Sequence, residues 1–337
     1  MTAPDTITEL LWDQWKTKTL HSAIQLRVFT ELGRSPLTSP EIRARLGLRA
    51  GPRAVEDFMD SLVALGLLLR EEGRYRNGPE AAHYLDAGRP EVYLGAAIDQ
   101  ALDGPVIDVA ADLRAGHSPD ALPSAQEFYS GLYTSEEGSR GFLRIMTAES
   151  TGPAQAMAER FPWERYRRLV DVGCAEGAVA AQIVDRHPHL SAIGFDLPPV
   201  RPAFEEFTTA AGVTDRVRFQ AGDFFAEALP EADVVVFGQV LHNWDLERKR
   251  ILIGKAYEAL PPGGAVVVYE RLVDEDRRSS LGALFMSLRM NLALGGGFDF
   301  TGAECEGWLR DAGFARTSVR ALDANRSMVI GFKEHAV

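Results

Sequence analysis

Two acids and two glycines mark the stretch of sequence whose residue types best suit the binding of a ligand. Asp171 lies in an apolar run that stops at a turn containing Gly173 and Gly177. Glu176 lies between those glycines, and a second apolar run ends on Asp196. A strand, glycine turn, helix and strand in this order hold a nucleotide-type ligand at the carboxyl edge of a parallel sheet. Because Glu176 would repel a pyrophosphate, the turn instead suits a cationic ligand that carries a ribose.

Short apolar runs alternate with helical segments from residue 168 onward and predict the elements that must position this turn. The predicted strands are 169–172, 192–195, 217–219, 234–237 and 265–269. This alternation predicts an α/β fold with a doubly wound parallel sheet and right-handed connections. Two further runs, at 315–322 and 327–332, are predicted to form a hairpin at the far edge of the sheet.

The first hundred residues have a helical pattern that ends in a short hairpin. One helix is predicted to begin near Thr38, a second covers 54–64, and two short strands turn at Gly73. This is the outline of a winged helix, which often binds DNA. The helix that would meet DNA carries more acids than bases: Glu56, Asp57 and Asp60 against Arg53. Acids there would repel phosphates, so we expect no nucleic-acid partner.

Length and composition exclude several classes of protein. The chain has 337 residues, a net charge of -12 and two cysteines, Cys174 and Cys305. The length allows two domains, and the negative charge argues against a general affinity for nucleic acid or anionic membrane. Two cysteines are too few for a disulfide framework or a cysteine-based metal site. With neither an apolar span nor a signal-peptide pattern, the sequence predicts a cytoplasmic protein with no membrane partner.

Five short motifs follow one another in the second half of the chain and identify a family resemblance. They are Asp171-Val-Gly-Cys-Ala-Glu-Gly, Phe195-Asp-Leu-Pro-Pro-Val, Ala221-Gly-Asp-Phe-Phe, Val240-Leu-His-Asn-Trp-Asp and Leu260-Pro-Pro-Gly-Gly. With the winged-helix outline, they resemble the S-adenosylmethionine-dependent methyltransferases of the plant caffeic acid O-methyltransferase type and their bacterial natural-product relatives. The resemblance covers essentially the whole chain.

This resemblance implies three regions and a homodimer. Residues 1–100 would be a helical winged-helix dimerisation domain, and 101–165 a helical bridge that contributes to the substrate pocket. Residues 166–337 would be a Rossmann-like class I methyltransferase domain with a mostly parallel seven-stranded sheet. The implied activity is methyl transfer to a small, aromatic, hydroxylated acceptor in secondary metabolism, such as antibiotic biosynthesis.

The implied cofactor is S-adenosyl-L-methionine, and each part of it has candidate residues. Close backbone approach at the glycines would admit its amino-acid end, a carboxylate suits the ribose hydroxyls, and an aromatic ring can stack on adenine. The matching positions are Asp171, Gly173, Gly177, Asp196, Leu197, Asp223 and Phe224. Asp223 as a helix cap and Phe224 as a core residue remain open as structural alternatives.

His242 is the candidate catalytic base because an imidazole titrates near neutrality and can take a proton from a hydroxyl. It follows the fourth predicted strand, at the edge where the cofactor would lie. In the resembled family an acid orients this base, and Glu270 matches its position. Asp299 takes the place of a second acid that is one methylene longer in the family pattern, which leaves its role open. With no second histidine in that neighbourhood, we expect no metal.

The acceptor pocket is less defined in the sequence. Candidates to sandwich an aromatic acceptor are Phe142, Met146, Phe285, Met286 and Met290, and each of them alone fits core packing equally well. Arg144 and Arg289 are candidates to hold a carboxylate or lie at the surface. Three functions remain open from sequence: an O-methyltransferase, a C- or N-methyltransferase on the same scaffold, and a non-enzymatic winged-helix regulator.

Overall fold

The computed structural model describes residues 5–89, 92–103, 108–116, 125–133 and 136–334. Its contacts divide the chain into two units, Met1–Val106 and Ile107–Val337. The segment 101–165, separated above as a bridge, therefore falls mostly in the second unit. The reason is packing, because Ala154, Met157 and Ala158 at the end of this segment are buried in the same core as the large sheet.

The first unit combines six helices with a small sheet among its described residues. The helices are α1 Asp5–Gln25, α2 Val28–Arg34, α3 Ser39–Arg45, α4 Pro52–Ala64, α5 Pro79–Tyr84 and α6 Gly95–Asp103. The strands are β1 Leu37–Thr38, β2 Leu68–Glu71 and β3 Arg74–Asn77, which form an antiparallel sheet in the order β1-β3-β2.

Capping and turn residues explain the winged-helix outline of this unit. The Thr38 hydroxyl accepts a hydrogen bond from the Glu41 amide, and the Glu41 carboxylate accepts one from the Thr38 amide, which starts α3. The predicted wing is present as β2 and β3. They turn through Glu72 and Gly73, both with positive φ. Fully buried side chains such as Phe29 tie the helices to this hairpin.

The second unit alternates helices and strands. Its helices are α7 Val109–Ala115, α8 Ala125–Leu132, α9 Glu136–Arg160, α10 Ala178–Arg186, α11 Arg201–Ala210, α12 Leu246–Ala259, α13 Leu281–Ala293 and α14 Gly302–Asp311. Its strands are β4 Arg168–Val172, β5 Ser191–Asp196, β6 Val217–Ala221, β7 Val234–Gly238, β8 Ala265–Glu270, β9 Arg316–Ala321 and β10 Ser327–Phe332. Short 3-10 helices occupy Trp163–Arg165, Pro198–Val200 and Leu241–Asn243. Within the described ranges, no helix has the length and apolarity to cross a membrane.

The seven strands of this unit form one sheet in the order β6-β5-β4-β7-β8-β10-β9. Strands β4 to β8 pair in parallel, and the predicted hairpin β9–β10 adds two antiparallel strands at one edge. Along β7, Val234 and Val236 face one core cluster while Val235 and Phe237 face the other. Both faces are therefore covered, as expected for a parallel sheet.

The strand order places a cleft at the carboxyl edge of this sheet. The chain runs outward from β4 to β5 and β6, and then returns to pair β7 on the other side of β4. Loops on the two sides of such a reversal diverge and leave a crevice, where ligands bind in open α/β sheets. Asp171, Asp196 and Glu270 lie at the carboxyl ends of β4, β5 and β8, and so they meet at this edge.

Candidate active site

A cavity that opens to solvent occupies the crevice at the carboxyl edge of the sheet. Six residues predicted for the cofactor line it, two from the carboxyl end of each of β4, β5 and β6: Asp171, Gly173, Asp196, Leu197, Asp223 and Phe224. Phe142 and Met146 of α9, predicted for the acceptor, line the same cavity.

The turn after β4 has the backbone conformation that glycine favours. Gly173 has φ +72°, and a Cβ there would lie 2.8 Å from the Val240 side chain. Gly177 has φ +82° and caps the start of α10, where a Cβ would lie 2.5 Å from the Phe204 ring. A larger residue would be strained and crowded at either position. Gly173 borders the cavity, whereas Gly177 shapes the turn from behind it.

Asp171 is buried below this turn. Burial raises the pKa of its carboxyl to about 7, and the nearby Asp196 charge adds to the shift. Among the residues that the structure describes, its Oδ2 has no hydrogen-bond partner. An unpaired buried carboxylate oxygen beside a cavity is costly, and a cationic ligand group would relieve that cost.

Asp196 holds the turn against the end of β5. Its Oδ2 accepts a hydrogen bond from the Ala175 amide at 2.9 Å, and its Oδ1 accepts one from the Leu197 amide at 2.7 Å. Burial raises the pKa of Asp196 to about 6, although these two amides oppose the shift. Each oxygen keeps further acceptor capacity toward the cavity, which suits a pair of hydroxyls.

Asp223 and Phe224 lie in the loop after β6. The Asp223 Oδ1 accepts a hydrogen bond from the Phe225 amide at 2.8 Å, and its Oδ2 accepts one from the Gln126 side chain at 3.3 Å. Lys255 of α12 donates to the Phe224 carbonyl at 2.8 Å, which fixes the loop from the other side. Both predicted residues therefore border the cavity from a loop that is held in place.

His242 meets both predicted acids in a buried cluster beside the cavity. Its Nδ1 lies 3.4 Å from Asp299 Oδ1 and 3.8 Å from Glu270 Oε2. The histidine side chain is 12% exposed, and the two carboxylates are at most 1% exposed. His242 does not itself line the cavity, but its chain neighbours Asn243 and Trp244 do. Although Asp299 is one methylene shorter than the acid of the family pattern, it reaches the imidazole because its loop lies close to His242.

Burial and charge act in opposite directions on this cluster. Burial alone lowers the pKa of His242, but the charges of Glu270 and Asp299 outweigh it and leave the pKa above its usual 6.5. Burial raises the pKa of Glu270 to about 7, against the influence of His242. Glu270 therefore titrates near neutral pH beside a histidine whose pKa is raised, in the range where a base for a hydroxyl must work.

The other predicted acceptor residues lie away from the cavity. Phe285 on α13 is 63% exposed, while Met290, one and a half turns later, is 8% exposed and packs in the core. Met286 packs at the margin of that core. Because α13 directs these side chains to solvent or to the core, they do not lie beside Phe142 at the cavity within one chain. Arg289 is exposed and Arg144 half-buried, and neither lines the cavity.

Several cavity residues were missed by sequence reasoning. Tyr129 on α8 and Tyr133 directly after it line the cavity, in the region predicted as a helical bridge that contributes to the pocket. Gln239 directly precedes the His242 motif and Trp244 belongs to it, and their Nε2 and Nε1 atoms have no partner among the described residues. The unusual φ of Gln239, +54°, is not visible in the sequence. In the sequence, the one indication that Gln239 and Trp244 belong to the site was their proximity to His242.

Comparison with known proteins decides what kind of site this is. Residues 120–315 match the family described as O-methyltransferase domain, and residues 8–87 match the O-methyltransferase dimerisation domain. The first match alone covers more than half of the chain. The chain belongs to the O-methyltransferase family. The chain is therefore an S-adenosylmethionine-dependent methyltransferase of this family, which rules out the non-enzymatic regulator that the winged helix alone left open.

Bacterial relatives match the O-methyltransferase over nearly its whole length. The polyketide synthesis 8-O-methyltransferase TcmO of Streptomyces glaucescens is 40% identical over 98% of this chain and 97% of its own. The 3-hydroxy-5-methyl-1-naphthoate 3-O-methyltransferase of Streptomyces sahachiroi is 36% identical over 98% and 95%. The N,N-dimethyltransferase OxyT of Streptomyces rimosus is 34% identical over 91% and 90%.

A solved structure supports the fold and the cofactor. The S-adenosylmethionine-dependent methyltransferase SibL has a TM-score of 0.74 and 26% identity, over 98% of this chain and 99% of its own. The family of the O-methyltransferase uses S-adenosylmethionine, which is the cofactor predicted from the motifs.

Proposed function

We propose that this O-methyltransferase methylates a hydroxyl of an aromatic polyketide, with His242 as the general base. The observation that carries the proposal is the buried His242, whose Nδ1 faces Glu270 and Asp299 beside the cavity. The relatives named for polyketide and hydroxynaphthoate O-methylation support the acceptor class. Aromatic side chains around the cavity, among them Tyr129 and Phe142, suit a flat acceptor.

The residues around the cavity fit S-adenosylmethionine. Three buried polar groups that line it lack partners among the described residues: Asp171 Oδ2, Gln239 Nε2 and Trp244 Nε1. We assign the ribose hydroxyls to Asp196 and the adenine to Asp223 and Phe224. The amino-acid end falls to Asp171 and Gly173. When bound, the cofactor supplies an electrophilic methyl group on a sulfonium.

The protein then has to orient the acceptor and remove its proton. His242 takes that proton at Nε2, because Nδ1 faces the two carboxylates. Glu270 and Asp299 stabilise the imidazolium that forms, and they keep the ring in one orientation. Both acids are buried, so their charges act on the ring with little screening by water.

N-methylation is the second candidate, and one relative supports it. OxyT, an N,N-dimethyltransferase, is 34% identical to this chain. A neutral amine that accepts the methyl group becomes an ammonium and then loses a proton, which the same base would accept. C-methylation stays a weaker alternative, since none of these relatives carries a name for it.

We infer that the active form is a homodimer. The match of residues 8–87 to a dimerisation domain supports this, as do exposed apolar residues of α1 such as Trp12 and Trp15. The acidic helix α4 favours a protein partner over nucleic acid at this domain. A cytoplasmic location stays a prediction from the sequence.

The product of the reaction tests the function. The protein is incubated with methyl-labelled S-adenosylmethionine and a panel of hydroxynaphthoates, polyhydroxylated tetracyclic phenols and the matching aromatic amines. Labelled products are identified by mass spectrometry and NMR. A methoxy product from a phenol is expected. Exclusive labelling of the amines would favour the second candidate, and no labelled product from any compound would contradict the acceptor class.

A further inference from the structure

A buried lysine lies next to the His242 cluster and has no part in the mechanism above. Lys249 of α12 has no exposed surface. Its side chain lies against apolar rings, with Nζ 3.1 Å from the centre of the Phe298 ring. A lysine buried to this degree is rare in proteins unless its amine is paired.

The amine of Lys249 joins two segments of the active site. Its Nζ donates to the Trp244 carbonyl at 2.6 Å and to the Phe298 carbonyl at 2.9 Å. Trp244 follows His242 by two residues, and Phe298 directly precedes Asp299. One side chain therefore holds the backbone that carries the base and the backbone that carries its acid partner.

A glycine shows how closely those two segments approach. A Cβ on Gly297 would lie 2.7 Å from the Asn243 carbonyl oxygen and 2.8 Å from that of His242. The loop before Asp299 thus rests directly on the backbone of His242. Because Asp299 is a short acid, its 3.4 Å distance to the His242 ring depends on this approach.

We propose that Lys249 is a positioning residue for the His242 base, which it serves by tying the Trp244 backbone to the Phe298 backbone. This inference rests on the proposed role of His242. In its charged form, the Lys249 amine also interacts favourably with the two buried carboxylates, Glu270 and Asp299.

The charges around Lys249 come from four elements. Glu270 ends β8, Asp299 lies in the loop before α14, Asp245 caps α12 itself, and Glu304 lies in the first turn of α14. Burial lowers the pKa of Lys249 to about 7, against the pull of these acids. In its charged form Lys249 lowers the pKa of His242. Removal of its charge should therefore raise the proton affinity of the cluster.

The test compares Lys249→Met with a matched lysine elsewhere. Lys333 also donates to two backbone carbonyls, those of Tyr257 and Leu260, and lies 4.2 Å from the Tyr257 ring centre. Lys333→Met therefore removes the same kinds of contact away from the site. The first readout is the pH titration of the His242 ring by NMR of histidine-labelled protein, with its signal assigned by its loss in His242→Ala.

We expect Lys249→Met to raise the His242 titration midpoint by roughly half a pH unit or more, as expected from one unit charge a few ångströms away at a protein's effective dielectric. It should lower kcat roughly 10-fold or more through a misplaced base, with little change in cofactor affinity by calorimetry. Lys333→Met should leave both the midpoint and kcat at wild-type values. The acceptor is the compound that the wild type methylates in the panel above.

Each contrary result points to a different claim. A wild-type midpoint and kcat in Lys249→Met, with an inactive His242→Ala, would overturn the role of Lys249 alone. Full activity of His242→Ala would overturn the base and this inference with it. Where circular dichroism shows that Lys249→Met does not fold, Lys249→Gln is measured by the same criteria. That variant keeps a donor and loses the charge, and an unchanged midpoint in it would also overturn the proposal.

Discussion

His242, Glu270 and Asp299 share one buried volume, so the charge on each depends on the others. One ring nitrogen of His242 and one carboxylate oxygen from each acid lie within 4.8 Å of one another. A base that is flanked by two acids has a raised pKa. Its activity is therefore lower at low pH, whereas above that pKa its neutral ring is a stronger base. The sign of this effect leads to a measurable pH dependence.

The first prediction concerns the acid limb of the pH profile. Neutral His242 is the active form, so kcat/KM should rise with pH and level off above the His242 pKa. Since that pKa is raised above 6.5, the half-maximal point should lie above pH 6.5. Asp299→Asn removes a negative charge that stabilises the imidazolium, and the half-maximal point should therefore move to lower pH. An unchanged profile in this variant would show that Asp299 does not act on the base.

The second prediction concerns the ribose. Asp196→Ala removes a buried charged acceptor and should weaken S-adenosylmethionine binding by roughly 1 to 3 kcal/mol in calorimetry. Asp185→Ala, an exposed acid on α10, serves as the control and should bind normally. Equal affinity in the two variants would mean that the ribose is held by other residues.

Two loops decide the geometry of the site, because the strands beneath them are fixed by pairing in the sheet. The segment 241–244 follows β7, and the segment 295–299 follows α13. They come together at Gly297 and Lys249, and neither contact is local in the chain. The position of Asp299 therefore depends on a contact between segments far apart in sequence.

The third prediction tests that contact. Gly297→Ala would place a methyl group 2.7 Å from the Asn243 carbonyl oxygen, so one of the loops must move. We expect kcat to fall roughly 10-fold or more, because small displacements of a base cost large factors in rate. Cofactor affinity should stay near the wild-type value.

Gly307→Ala is the matched control, since a Cβ at this position on α14 has nothing within 4 Å. Alanine is the better helix former, so this variant should melt no lower than the wild type and keep full activity. A fully active Gly297→Ala enzyme would contradict the claim that loop contact positions the base.

The strands were predictable because each is a short apolar run that ends in a polar turn. The five parallel strands and the edge hairpin lie within one or two residues of their predicted bounds. The start of α3 at Thr38 was equally legible, since its capping box depends on residues three apart. Local rules were sufficient wherever the structure depends on neighbours in the chain.

Contacts between distant segments were not predictable in the same way. Lys249 lies between Arg248 and Arg250 and resembles a surface lysine. A signal existed, because it shares the helix face of Leu252, Ile253 and Ala256, all of which are buried. The exposure of Phe285 had no such signal, because it depends on how α13 lies against the sheet.

The candidate active site and the matched dimerisation domain lie in different units. Among the described residues, those that line the cavity and those of the His242 cluster belong to the second unit. The first unit matches a dimerisation domain and leaves apolar side chains of α1 exposed in the single chain, such as Trp12 at 63% and Trp15 at 57%. Exposed apolar side chains on this helix support the homodimer proposed above.

The fourth prediction concerns assembly. Light scattering at micromolar concentration should give twice the 36.9 kDa mass of one chain. A double variant, Trp12→Glu and Trp15→Glu, should shift the mass toward that of a single chain, because charges cannot be buried in the interface without cost. Val319→Glu, at an exposed apolar position of the second unit, should leave the mass unchanged. A wild-type mass of 36.9 kDa would contradict the homodimer.

The most direct test of the account is the rate of methyl transfer by His242→Ala. The acceptor is the phenol from the panel that the wild-type enzyme methylates, and cofactor affinity is measured in parallel by calorimetry. With His242 as the base, kcat should fall about 10²-fold or more while S-adenosylmethionine binds as in the wild type. A variant that binds the cofactor normally and methylates the phenol at the wild-type rate would contradict the central claim.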